Sequence, residues 1–200
     1  MKMSINFNSA IKGIMRSVIA GEEIEPEMIH ECAFYADRLV LFEVYENEQG
    51  IPFCKLSGGI PYDQHLIGLD EELKNHPDLE AVYQKVFSGN GESESILEIE
   101  NPRDNPLTSY FREIIENTGI KKIIYLPLVR RMSSGQKKLV GIIVIDVCDI
   151  SLTQEKRCAL IALKNFFSLV LSRDDIVFST DPQKHNWILS AKTGRDLQSA

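Results

Sequence analysis

The chain has 200 residues, 44% of them hydrophobic and 26% charged, with a formal net charge of −7. A chain of that length buries enough apolar surface for one domain without a disulfide or metal staple. The acidic balance argues against a general nucleic-acid partner or an anionic membrane surface.

The four cysteines, Cys32, Cys54, Cys148 and Cys158, are scattered, with no C-x-x-C. No apolar run is long enough to span a bilayer, so a cytoplasmic, reducing setting without membrane insertion is expected.

Apolar residues from Phe7 to Ala20 recur at helical spacing, with Gly21 as the expected stop. Glu25-Pro26 opens a second helix to about Ala36, carrying Met28, Ile29, Cys32 and Tyr35. Strands are expected at Arg38–Tyr45 and Ile51–Ile60, joined through a turn at Glu46–Gly50. Pro61 to Pro77 reads as a polar connection holding His65 and His76. Asp78–Phe87 reads as a helix ended by Gly89-Asn90-Gly91, and Ser95–Glu100 as a short strand. Two prolines in Asn101–Pro106 argue against regular structure there. Leu107–Asn117 then reads as a helix with Tyr110, Phe111, Ile114 and Ile115 on one face.

The organising stretch begins at Ile120. The segments I-I-Y-L-P-L-V and L-V-G-I-I-V-I-D-V flank Ser133-Ser134-Gly135-Gln136, the signature of an antiparallel hairpin. Val140–Val147 is apolar except for Gly141 and Asp146, the pattern of a strand covered on both faces.

A long helix should start at Thr153, a good N-cap, and reach about Asp174. Lys156, Lys164, Ser168 and Ser172 form a narrow polar stripe, so the remaining arc needs a second burial surface. The N-terminal helices could supply it within the chain, and a second copy of the chain is the favoured source. Ile11, Met15, Leu163, Phe166, Phe167 and Val170 are the candidate contacts. Asp181-Pro182 is read as opening a short helix to about Lys192 that carries Trp187. The expected division is 1–25 as an N-terminal packing element, 26–175 as the domain, and 176–200 as an extension.

The order of elements resembles the GAF family of regulatory domains over about Met28 to Arg173. The resemblance rests on L-P-L at Leu126–Leu128 with L-V-G-I-I-V-I-D at Leu139–Asp146, on H-P-D-L-E-A-V-Y at His76–Tyr83, and on N-P-R-D-N-P at Asn101–Pro106. Gly119-Ile120 and L-T-Q-E at Leu152–Glu155 add to it. It implies an α+β, PAS-related fold: a central antiparallel sheet of five to six strands, with terminal helices on one face and two shorter helices plus loops on the other. It also implies a small-molecule pocket between the sheet and the shorter helices. The walls would come from Phe42, Cys54, Leu56, Tyr110, Phe111, Tyr125 and the Arg103-Asp104 loop, for a ligand of unknown identity.

Catalytic signatures are missing. No G-x-S-x-G, P-loop, H-E-x-x-H or glycine-rich dinucleotide motif occurs. The cysteine cluster of methionine sulfoxide-reducing relatives has no counterpart in Arg112–Leu126. There is no Cys-His pair of the kind that attaches bilins, and no N-K-x-n-F-x-x-x-D-E signature of cyclic-nucleotide binders. His30, His65, His76 and His185 are not spaced as a metal site. Arg103 and Asp104 read either as a ligand-facing pair or as groups pinning their own loop, the second being favoured. Asp146 reads either as facing the pocket or as marking the strand's end. The sequence therefore points to a non-enzymatic sensor, dimeric through terminal helices, acting on another protein or on an effector domain. The alternatives are an interaction module with a self-filled pocket and, behind it, a reductase with displaced cysteines.

Overall fold

The computed structural model describes residues 3–20, 22–24, 26–33, 36–60, 69–88, 96–148, 153–171, 176–181 and 186–191. The helix stops expected at Gly21 and at 89–91 lie outside these residues. So do Tyr35, His65, Leu152, Ser172 and His185. Helices α1 (Met3–Ala20) and α2 (Pro26–Cys32) flank a two-residue strand β1, Glu23–Ile24. Strands β2 (Arg38–Glu46), β3 (Pro52–Ile60) and β4 (Asp70–Glu72) follow, then helix α3 (Pro77–Phe87) and strand β5 (Leu97–Glu100). Helix α4 (Arg112–Thr118), strands β6 (Lys122–Arg131) and β7 (Lys137–Val147), helix α5 (Gln154–Leu171) and strands β8 (Ile176–Asp181) and β9 (Asn186–Ala191) complete the chain.

Six strands form one antiparallel sheet in the order β4-β3-β2-β7-β6-β5. The expected hairpin is β6–β7, turned through Gly135 at φ 82. Its two strands and β2 occupy the middle. Strand β4 lies within the stretch expected to be a polar connection. The Leu73 side chain, fully buried, anchors that stretch to the core.

Side chains alternate across the pleat, so each central strand supplies two cores. Leu39 and Leu41, Ile124 and Leu126, and Ile143 and Ile145 face α1, α2 and α5. Val40 and Phe42, Ile123 and Tyr125, and Ile142 and Val144 face α3 and α4. That two-sided cover explains why the first eight residues of β6 are all buried. Gly141 is needed where β7 passes β2, since a Cβ there would stand 3.0 Å from the Phe42 carbonyl oxygen.

Three expectations need correction. The polar stripe of α5 does not face water as a unit: Lys164 is buried and Ser168 turns inward. A bulge between Leu128 and Val129 interrupts the β6 ladder, and the Val129 N–H donates to Ser168 Oγ at 3.3 Å. A buried amide needs such a partner. The outward side instead carries Ile161 and Leu169, the latter 71% exposed. Leu163 and Phe167, expected at a dimer seam, have no exposure because they pack on this chain's own sheet. Ile11 and Phe166 are partly buried against the same core, Met15 is exposed, and the Val170 side chain lies outside the described residues.

The second correction concerns the prolines of Asn101–Pro106. Pro102 and Pro106 each begin a short 3₁₀ segment, Pro102–Asp104 and Pro106–Phe111, where a missing N–H costs nothing. The Asn105 side chain accepts from the Leu107 N–H at 2.9 Å. Only from Arg112 does the segment become α-helical. That change of pitch leaves Tyr110 and Ile114 only half-buried while Ile115 is buried.

Third, Asn186–Ala191, expected within a short helix, is a strand. Strand β9 pairs with β8 on one side and with β1 on the other, giving a three-stranded sheet that ties both ends of the chain together. Trp187 sits in β9, in register with Ile24 and Thr180. Among the described residues no helix is long and apolar enough to cross a membrane.

Candidate functional site

The sheet's α3/α4 side holds a cavity of about 90 Å³. Strand β2 offers Arg38, Val40 and Phe42 to it, alternate residues on one face. Strand β6 adds Ile123 and Tyr125, and β7 adds Val144 and Asp146. The roof consists of His76, Asp78 and Leu79 at the start of α3, with Tyr110, Phe111 and Ile114 from the 3₁₀–α4 segment. Leu69 completes the wall.

The polar groups in this apolar shell form two clusters. Arg38 and Asp146 are direct cross-strand partners of β2 and β7, and a guanidinium N–H of Arg38 donates to Asp146 Oδ2 at 3.3 Å. Asp146 is 2% exposed, and its other oxygen, Oδ1, has no hydrogen-bond partner. Burial pushes the Asp146 carboxyl up to about 6, with Arg38 pulling the other way.

Asp78 is also buried, in the first turn of α3, where the helix dipole favours a carboxylate. Tyr110 Oη donates to its Oδ1 and Tyr125 Oη to its Oδ2, each at 2.7 Å. Burial, followed by the Asp78 charge, holds both phenols above their ordinary range, so they remain hydroxyl donors. At the rim, His76 Nε2 is buried without a hydrogen-bond partner, and the Glu71 carboxylate stands 3.7 Å away. The His76 ring meets Tyr110 edge-on at 5.8 Å. Among the described residues no group of three or more His, Cys, Asp or Glu side chains is arranged to hold a metal ion.

No family model matches the sequence, and no curated protein matches it. Solved structures do match. A phycoerythrobilin-bound GAF domain from a cyanobacterial phytochrome superposes with a TM-score of 0.58 at 13% identity, covering 84% of this chain and 95% of that one. A phycocyanobilin-bound GAF domain from a cyanobacterial phytochrome gives 0.52 at 14% identity, over 86% and 94% of the two chains. A GAF domain/HD domain protein from Geobacter sulfurreducens gives 0.50 at 11% identity, over 72% and 89%. The chain has the GAF fold.

Within that fold, four of the residues expected to wall a pocket line this cavity: Phe42, Tyr110, Phe111 and Tyr125. Cys54 and Leu56 belong to the same apolar cluster but lie on β3, one strand further out, and do not reach the cavity. Arg103 and Asp104 are elsewhere. They border a shallower depression of about 470 Å³ together with Asn101, Glu116 and Lys121. Arg103 Nε pairs with Glu116 Oε1 at 3.0 Å, and the Arg103 carbonyl accepts from Arg112 Nε at 3.1 Å. These contacts link the loop to α4.

Arg38, His76 and Asp78 were not singled out by the sequence as site residues. His-Pro-Asp before an amphipathic run reads as a solvated helix start, and only the register of β2 against β7 brings Arg38 to Asp146. Asp146, isolated in an apolar strand, was the one visible signal.

Proposed function

We propose that this chain is a non-enzymatic sensory domain that binds a small molecule between the sheet and α3/α4 and reports its presence through the helices on the opposite face. One observation carries the reading. Two buried carboxylates and a half-buried guanidinium converge in a largely apolar concavity, and one carboxylate oxygen is left without a partner. Buried charge is expensive, and a fold gains little from it unless a guest uses it. The bilin-bound GAF structures are consistent with a guest in a fold of this kind.

Cysteine chemistry fits poorly as an alternative. Cys32 and Cys54 are buried, and burial pushes both thiols up to about 12, opposite to what a nucleophile needs.

The output route follows from the pleat. Val40, Phe42, Tyr125 and Val144 border the cavity, while Leu39, Leu41, Ile124 and Ile143 on the same strands press on α1, α2 and α5. A guest that shifts β2, β6 or β7 therefore moves the packing of the terminal helices. Those helices pair with a second copy through Met15, Ile161 and Leu169. The dimer then acts in the cytoplasm on another protein or on an effector domain.

A second reading, an interaction module whose pocket is filled by its own side chains, is favoured by the small volume of the cavity and by the two tyrosines already bonded to Asp78. Native mass spectrometry of freshly purified protein, paired with thermal-shift screening against a metabolite library, separates the two. The sensor reading expects a bound small-molecule mass or a stabilising compound, lost when Val40→Trp fills the cavity. A chain that carries no guest and is stabilised by no compound is the module.

A further inference from the structure

Three polar side chains of the lining direct a donor at the cavity's own carboxylates. Tyr110 and Tyr125 both donate to Asp78, and Arg38 donates to Asp146 Oδ2. Apart from the Arg38 guanidinium and the His76 ring, what the lining presents is lone pairs: two phenolic oxygens, the remaining valences of Asp78, and Asp146 Oδ1, which has no hydrogen-bond partner. Among the described lining residues, two carboxylates stand against one guanidinium, whose charge is already shared with Asp146. With two carboxylates in the lining, one of them holding an unpartnered oxygen, such a site favours a positively charged donor over a carboxylate or phosphate.

Resting on the reading that the cavity holds a guest, we infer that the guest is a compact organic cation, an amidinium or primary ammonium on a short apolar body, whose N–H donates to Asp146 Oδ1 and whose charge lies between Asp146 and Asp78. A charge-assisted bond to an already desolvated carboxylate is among the stronger polar contacts available. The apolar body has Val40, Phe42, Leu79 and Val144 to pack against. Size limits it further: about 90 Å³ is well below the roughly 150 Å³ of a dry cavity that holds benzene. A branched aliphatic chain fits inside, whereas a ring enters only with its edge at the mouth. The carboxyl of Asp146, faced by Arg38 and by the negative charges of Asp78 and Asp37, is ionised at neutral pH and available to a cation.

The test uses three probes of one shape and different charge: isobutyramidinium, isobutyramide and isobutyrate. Each is titrated into the native chain at pH 7.5 while backbone amide resonances are followed by NMR. The amidinium is expected to shift the amides of Val40, Leu79 and Val144 saturably, about tenfold or more tighter than the amide, with no shift from isobutyrate. Asp146→Asn is expected to abolish that preference. If isobutyrate or isobutyramide binds as tightly, or if Asp146→Asn leaves the amidinium affinity unchanged, the cation assignment is wrong while the cavity still takes a guest. If none of the probes shifts these amides and the library screen also finds no stabilising compound, the guest-binding reading and this inference fall together. The probe series needs no variant, so it decides even if Asp146→Asn fails to fold.

Discussion

Asp146 should impose a pH dependence on stability that a single isosteric substitution removes. Its carboxyl titrates near 6 in the folded chain against an ordinary value of 3.8, the burial outweighing the attraction of Arg38. The folded state therefore holds a proton that the unfolded state has already released between these two values. Stability falls as pH rises from about 4 to about 6 and is flat above that window. At about 1.4 kcal/mol per pH unit, the ionised carboxylate costs the fold about 3 kcal/mol at neutral pH. Asparagine mimics the protonated acid, so Asp146→Asn should match the native chain near pH 4 and exceed it by about 3 kcal/mol at pH 7.5. Urea unfolding at half-unit pH steps, read as the difference between the two chains, isolates this group from others that titrate in the same range. A difference that stays constant from pH 4 to 7.5 would refute the argument, because the carboxylate would then be no harder to ionise in the fold than in water.

Four further outcomes follow from named residues. Tyr125→Phe removes a buried donor and leaves Asp78 Oδ2 short of a partner, so unfolding free energy should drop by roughly 1–3 kcal/mol. Tyr110→Phe serves the same carboxylate, and a double-mutant cycle should show the two changes to be non-additive, independent effects being the contrary result. Gly141→Ala places a Cβ 3.0 Å from the Phe42 carbonyl and 3.3 Å from Leu128 Cδ1, which should cost roughly 1–3 kcal/mol in thermal or urea unfolding; an unchanged midpoint would mean that β2 and β7 part easily. Leu169→Asp should convert the proposed dimer to monomer by analytical ultracentrifugation, with stability at low protein concentration within about 0.5 kcal/mol of the native chain, since the residue is 71% exposed. A dimer that persists would place the contact elsewhere.

Local pattern was enough for most of the scaffold. The Ser133–Gln136 turn between two β-rich runs specifies the β6–β7 hairpin, because turn chemistry and strand propensity act over a few residues. Thr153 as N-cap and the amphipathic runs of α1 and α3 are legible for the same reason, and the Thr153 hydroxyl does accept from the Lys156 N–H. Tertiary pairing decided the rest. Asp181-Pro182 suits a helix start as well as a turn, and what makes 186–191 a strand is β8 on one side and β1 on the other, partners distant or unequal in sequence signal. The inward turn of Ser168 answers a bulge in the β6–β7 ladder that no helical periodicity announces. The cavity depends most on such distant matches: Arg38 meets Asp146 across 108 residues, and Asp78 receives Tyr125 across 47. Charge and hydrogen-bond capacity are written residue by residue, but whether they converge is a property of strand register, which many weak contacts set together.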